Sequence, residues 1–132
     1  MKKTIILCIL GVFLAETNVH AEATVFEGTP IKKNCSDPTG SDNYPVIGND
    51  QTNYKTVITK DNGKYIWFSR DKKMLTHTND GCYDYFITKD RCDYIKIAKN
   101  PDSDNPKYLY MEHLTDGFKT ITYWGKSDKF EP

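Results

Sequence analysis

At 132 residues, with 18 basic against 18 acidic side chains, the chain is sized for one domain and has no net charge to draw it to nucleic acid or an anionic membrane. Setting aside the first 21 residues removes Lys2, Lys3 and Glu16 and leaves 16 basic and 17 acidic groups, so the balance survives processing. No nucleic-acid partner is therefore expected.

Lys2 and Lys3 precede an apolar run, Ile5 to Leu14, that is too short to cross a hydrocarbon core of roughly 30 Å. Glu16 to His20 follow at once. This is the layout of a bacterial export signal over residues 1–21, cut after Ala21 or, as the alternative, after Ala23. The remainder, residues 22–132, is expected to be secreted or periplasmic with no membrane anchor. Cys8 does not make a lipoprotein signal, because Leu7 stands where a small residue is needed.

Ala23 to Glu27 predicts a short strand. Residues 29–53 are dominated by Pro, Gly, Asn, Asp and Ser, whose side chains fold back on their own backbone, and this predicts loops. From Tyr54 onward three hairpins are expected. Residues 54–70 turn at Asp61-Asn62-Gly63, residues 82–98 at Lys89-Asp90-Arg91, and residues 108–124 at Thr115-Asp116-Gly117. Lys72 to His77 offers at most one helical turn, and Asn100 to Pro106 reads as a loop. Tyr83, Tyr85 and Ile87 alternate with Asp84, as Ile95 and Ile97 do with Asp93 and Lys96, and a helical period is absent. The expected fold is all-β: an antiparallel meander of six or seven strands forming a sandwich or a partly open barrel, with a core begun by Trp67, Phe68, Phe86, Phe118 and Ile121. Cys82 and Cys92, on adjacent arms of one hairpin, are expected to form a disulfide in an oxidising compartment. Cys35 is left over.

The chemistry-bearing residues are sparse. His77 and His113, with a lysine such as Lys119, are the pair a small nuclease would need as base and acid. Glu112 and Asp116 are a formal carboxylate pair for glycoside hydrolysis. Asp102-Ser103-Asp104-Asn105 lacks the glycine and distal glutamate of a calcium loop, so no metal is expected. There is no nucleophile elbow and no phosphate loop, and no cofactor is expected. Asn34-Cys35-Ser36 fits a glycosylation sequon that has no consequence in a bacterium.

Nine Tyr, six Phe and two Trp exceed what a small core needs. Tyr65, Trp67, Tyr83, Tyr85, Tyr108, Tyr110 and Trp124 lie among charges, and rigid amphipathic rings in that setting suit a protein interface. The expectation is an exported, non-enzymatic binding protein that caps a protein partner, in the manner of immunity proteins and hydrolase inhibitors. The alternatives are a small secreted hydrolase using His77 and His113, and a barrel that holds a small ligand.

Overall fold

The computed structural model describes residues 22–132. The export signal expected over residues 1–21 lies outside the described residues. Nine strands follow in chain order: β1 (Ala23–Asp37), β2 (Gly40–Pro45), β3 (Thr56–Asp61), β4 (Lys64–Trp67), β5 (Lys73–Asn79), β6 (Asp84–Thr88), β7 (Tyr94–Lys99), β8 (Tyr108–Asp116) and β9 (Lys119–Phe130). A single helical turn, α1 (Asp50–Asn53), sits between β2 and β3. No helix among the described residues is long and apolar enough to cross a membrane.

Every pairing is antiparallel, and β1 bonds to β3 on one edge and β9 on the other. Eight strands therefore close into a barrel, and β2 is a flap on β1 beyond the end of β3. The all-β antiparallel expectation holds, while the sandwich or partly open barrel of six or seven strands is replaced by closure. The cause is β1, whose 15 residues are far longer than the strand expected over Ala23 to Glu27. Bulges between Thr24 and Phe26, Glu27 and Thr29, and Pro30 and Lys32 bend it, so that one strand serves β3, then β2, while staying on β9. Pro30 stands at this changeover, where a residue without an N–H disturbs a ladder least.

The loop expected over residues 29–53 is thus largely a hairpin. Its turn is an Asx turn, with Asp37 Oδ1 accepting the Thr39 and Gly40 amides at 2.8 and 3.2 Å. Its arms are stitched by polar side chains, Asn34 Nδ2 donating to Ser41 Oγ at 2.8 Å and Asn43 Oδ1 at 3.0 Å. Lys72 to His77 is not helical either. Asp71 and Lys72 take positive φ, 54° and 53°, and make the β4–β5 turn, after which β5 alternates with Leu75 inward. The other three hairpins fall where expected, and Asn62 and Gly63 supply the two positive φ values, 54° and 77°.

Inward positions carry Phe26, Ile58, Trp67, Phe86, Ile95 and Ile97, each at most 1 % exposed. Phe26 meets Tyr110 and Phe130 edge-on at 5.3 and 5.9 Å, and Phe86 meets Tyr65 at 5.1 Å. Side chains fill the barrel, as the taper of eight strands allows. Phe68 and Phe118 are corrections to the expected core. Phe118 is 89 % exposed because it stands at the β8–β9 turn beside Gly117, and Phe68 lies outside the barrel.

Candidate functional site

The histidine pair is not assembled. His77 faces inward on β5, stacked on Phe86 at 4.5 Å with Nε2 2.7 Å from Asp84 Oδ1. His113 follows inward Glu112 on β8 and so faces outward, Nδ1 3.2 Å from Thr122 Oγ1 and its ring stacked on Tyr94 at 5.0 Å. The register runs His77, Phe86, Ile95, Glu112 across β5 to β8, which is three strand spacings, about 14 Å. The two imidazoles lie on opposite sides of the wall. Glu112 and Asp116 are four residues apart along one strand, about 13 Å, wider than either glycosidase geometry. Among the described residues no three His, Cys, Asp or Glu side chains converge as metal ligands.

The disulfide expected between Cys82 and Cys92 is also corrected, for Cys35, Cys82 and Cys92 are all free. In the β6–β7 register Asp84 faces Ile97 and Ile87 faces Tyr94, so Cys82 lies past the open end and Cys92 in the turn. Seven residues of strand separate the two levels, roughly 23 Å. A disulfide spans Cα atoms no more than about 7 Å apart.

Polar chemistry gathers at one end of the barrel interior. Glu112, fully buried, accepts hydrogen bonds from Thr56 Oγ1 and, at 2.5 Å, from Arg70 Nε. Burial pushes the Glu112 carboxyl above its ordinary range, and Arg70 and Thr56 oppose the shift without cancelling it. Arg70, 23 % exposed at its side chain, lies 5.4 Å from the Tyr123 ring. Tyr123 stacks on Tyr54 at 5.6 Å, and the Lys33 ammonium reaches both rings at 5.6 Å. Beyond them, between the flap and α1, a crevice of about 420 Å³ is lined by Lys33, Cys35, Tyr44, Val46, Asp50 and Tyr54. None of these residues was singled out as a site from sequence except Glu112, because only closure of the barrel brings them together.

The seven aromatic candidates divide. Trp67 and Tyr110 are buried at 0 and 3 % exposure, and burial drives the Tyr110 phenol well above its ordinary range. Tyr65 and Tyr108 are half-buried and pack on the core. These four are structural, because period-two alternation turns them inward. Tyr83, Tyr85 and Trp124 point outward and come together.

Across the outside of β6, β7, β8, β9 and β1 one row reads Tyr85, Lys96, Met111, Trp124, Lys32. The next reads Ala98, Leu109, Lys126, Thr29, with Tyr83 against its end. The row on the other side reads Ile87, Tyr94, His113, Thr122, Asn34. Three lysines and no Asp or Glu stand in these rows. Lys96 Nζ lies 3.9 Å from the Tyr83 ring centroid and 5.8 Å from that of Tyr85, and Lys32 Nζ lies 4.9 Å from Trp124. Trp124, Tyr83 and Leu109 are 36, 37 and 40 % exposed, an apolar patch held open on a sheet that hydrogen bonding makes rigid. Asp80, at the rim, has its Oδ1 taken by the amides of Tyr83 and Cys82 at 2.7 and 2.9 Å, and these bonds hold its carboxyl below the ordinary range. No family model, no curated protein and no solved structure matches the chain.

Proposed function

We propose that this chain is an exported, non-enzymatic binding protein that caps a protein partner through the outer wall of β6 to β9. The observation that carries the reading is the cluster of Tyr83, Tyr85, Leu109, Met111 and Trp124 on one rigid face. An aromatic and Met centre with lysines around it is the composition of an interface core and rim. Two further observations favour it over its alternatives. The space a lipophilic ligand would need inside the barrel is filled by Phe26, Trp67 and Phe86, and the imidazoles a nuclease would pair lie on opposite sides of the wall. Immunity proteins and hydrolase inhibitors work in this way, by covering a partner's surface with a preformed one.

The test is comparative capture. Immobilised wild type, a Trp124→Ala/Met111→Asp wall variant and a Tyr54→Ala variant at the barrel mouth are exposed to periplasmic and culture fluid of the source organism. A protein held by wild type and the mouth variant and lost by the wall variant supports the reading. Retention that ignores the wall substitutions, or substrate turnover by the purified protein, overturns it.

A further inference from the structure

Resting on the wall as the docking face, we propose that the partner meets it with a carboxylate-rich protein surface. The charge distribution points there. The described chain is close to neutral, yet Lys32, Lys96 and Lys126 fall within two adjacent rows of one outer face with no carboxylate among them. Among the described residues none of the three lysines is within ion-pair distance of an acid, whereas Lys55, Arg70 and Lys73 each have one. Asp80 beside Lys96, and Glu27 and Asp128 beside Lys126, stand at the edges of these rows, so the positive field is strongest between them, where Trp124 and Met111 are exposed, and an approaching surface of the opposite sign is steered and held in register.

Carboxylates on a folded protein fit better than a linear polyanion. Two of the three ammonium groups lie against aromatic rings, Lys96 on Tyr83 and Lys32 on Trp124, so cation and ring form one contact surface. The positions between them, Met111 and Leu109, are aliphatic. A nucleic-acid groove tracks a phosphate backbone with a run of cations and offers separate ring faces for stacking. Here the cations are few, covered on one side and spaced by apolar side chains. That pattern matches a small interface with an apolar centre and two or three acidic contacts.

Trp124 reports on the wall directly, since the chain has two tryptophans and Trp67 is fully buried. Collisional quenching of the full-length protein by iodide and by caesium, each normalised to N-acetyltryptophanamide, reads the local potential at low ionic strength. The expected result is at least about twofold preference for iodide, lost in Lys32→Ser/Lys96→Ser/Lys126→Ser and at high salt, where screening acts within a few Å. Poly-L-glutamate, single-stranded oligothymidylate and heparin, matched in charge, are then titrated against Trp124 emission. Saturable binding of polyglutamate that the triple substitution weakens at least tenfold, and that exceeds binding of the other two, supports the proposal. Equal iodide and caesium quenching, no response to polyglutamate, or tighter binding of either other polymer overturns it. Trp124→Phe removes the signal and fixes its source. Should these fail while wall substitutions still abolish capture of the partner, the docking face stands and only the acidic character of the partner falls.

Discussion

Replacing Glu112 by alanine removes the counter-charge of Arg70 from a place that water scarcely reaches. Glu112 is 0 % and Arg70 23 % exposed at the side chain, and the carboxylate also takes the Thr56 hydroxyl. Breaking a buried pair from one side costs about 3–5 kcal/mol, and the partial exposure of Arg70 places the expected loss near the lower end, about 3 kcal/mol. For a domain of this size each kcal/mol is worth about 4 °C, so the midpoint should fall by roughly 12 °C in a thermal melt followed by near-ultraviolet circular dichroism. Glu112→Leu with Arg70→Met, which removes both charges, should recover most of the loss. The pH dependence has a definite sign. Burial holds the folded pKa of Glu112 above its unfolded value, so the native state binds this proton more readily. The stabilisation from that proton is complete below the unfolded value of about 4.3 and is lost as pH rises through the folded pKa. Wild type should therefore lose stability relative to Glu112→Gln as pH rises above about 4. A loss under about 1 kcal/mol in Glu112→Ala, or a wild type that gains on Glu112→Gln as pH rises, would refute the reasoning.

Gly125→Ala should cost about 1–3 kcal/mol in urea midpoint, since its Cβ would run into the Thr29 carbonyl oxygen, a backbone atom, and into the Tyr110 ring. Phe118→Ser should stay within about 0.5 kcal/mol of wild type in the same assay, because 89 % of that residue is already in water; a large loss would mean the β8–β9 turn packs on something. Cys82 and Cys92, both exposed thiols, should be alkylated by iodoacetamide in the folded protein without prior reduction, and a peptide map containing a Cys82–Cys92 link would contradict the β6–β7 register.

The hairpins at Asn62-Gly63 and Gly117, and the alternation of Ile95 and Ile97, were legible because turn geometry and a half-buried strand each leave a local mark on composition. The β1–β2 hairpin left none. All six residues of β2 are exposed, so no apolar alternation is imposed, and the Asn34, Ser36, Ser41 and Asn43 side chains that stitch its arms are the same types that make loops. Closure was equally hidden, since it depends on β1 changing partners at bulges around Pro30, and a proline in an apparent loop reads as one more reason against a strand. The Glu112, Arg70 and Thr56 cluster joins residues 42 and 56 apart in sequence and could not be seen before the barrel closed. Tyr83, Tyr85 and Trp124 were found by composition alone, and composition also swept in Trp67 and Tyr110. Their separation needed only the phase of the alternation, which Asp84 and Met111 confuse by sitting inward and outward against their polarity.

That phase bears on function. In a closed barrel each inward position must match the taper, and Trp67, Phe86 and the Glu112 cluster are accounted for by packing and charge neutralisation. Outward positions are under no such constraint, and on β3 to β5 they mix Val57, Ile66 and Met74 with Thr59, Lys64, Thr76 and Thr78. The β6 to β9 wall adds aromatic rings to its apolar positions, with Trp124, Leu109 and Met111 beside Tyr83 and Tyr85, side chains that gain little from one another while still 36 and 40 % exposed at Trp124 and Leu109. Folding does not require them there. A covering surface would gain their burial without rearranging a backbone already fixed on both edges of every wall strand. The lysines between them would then decide which surfaces are admitted, because an apolar patch alone accepts many partners and a like-charged one is turned away.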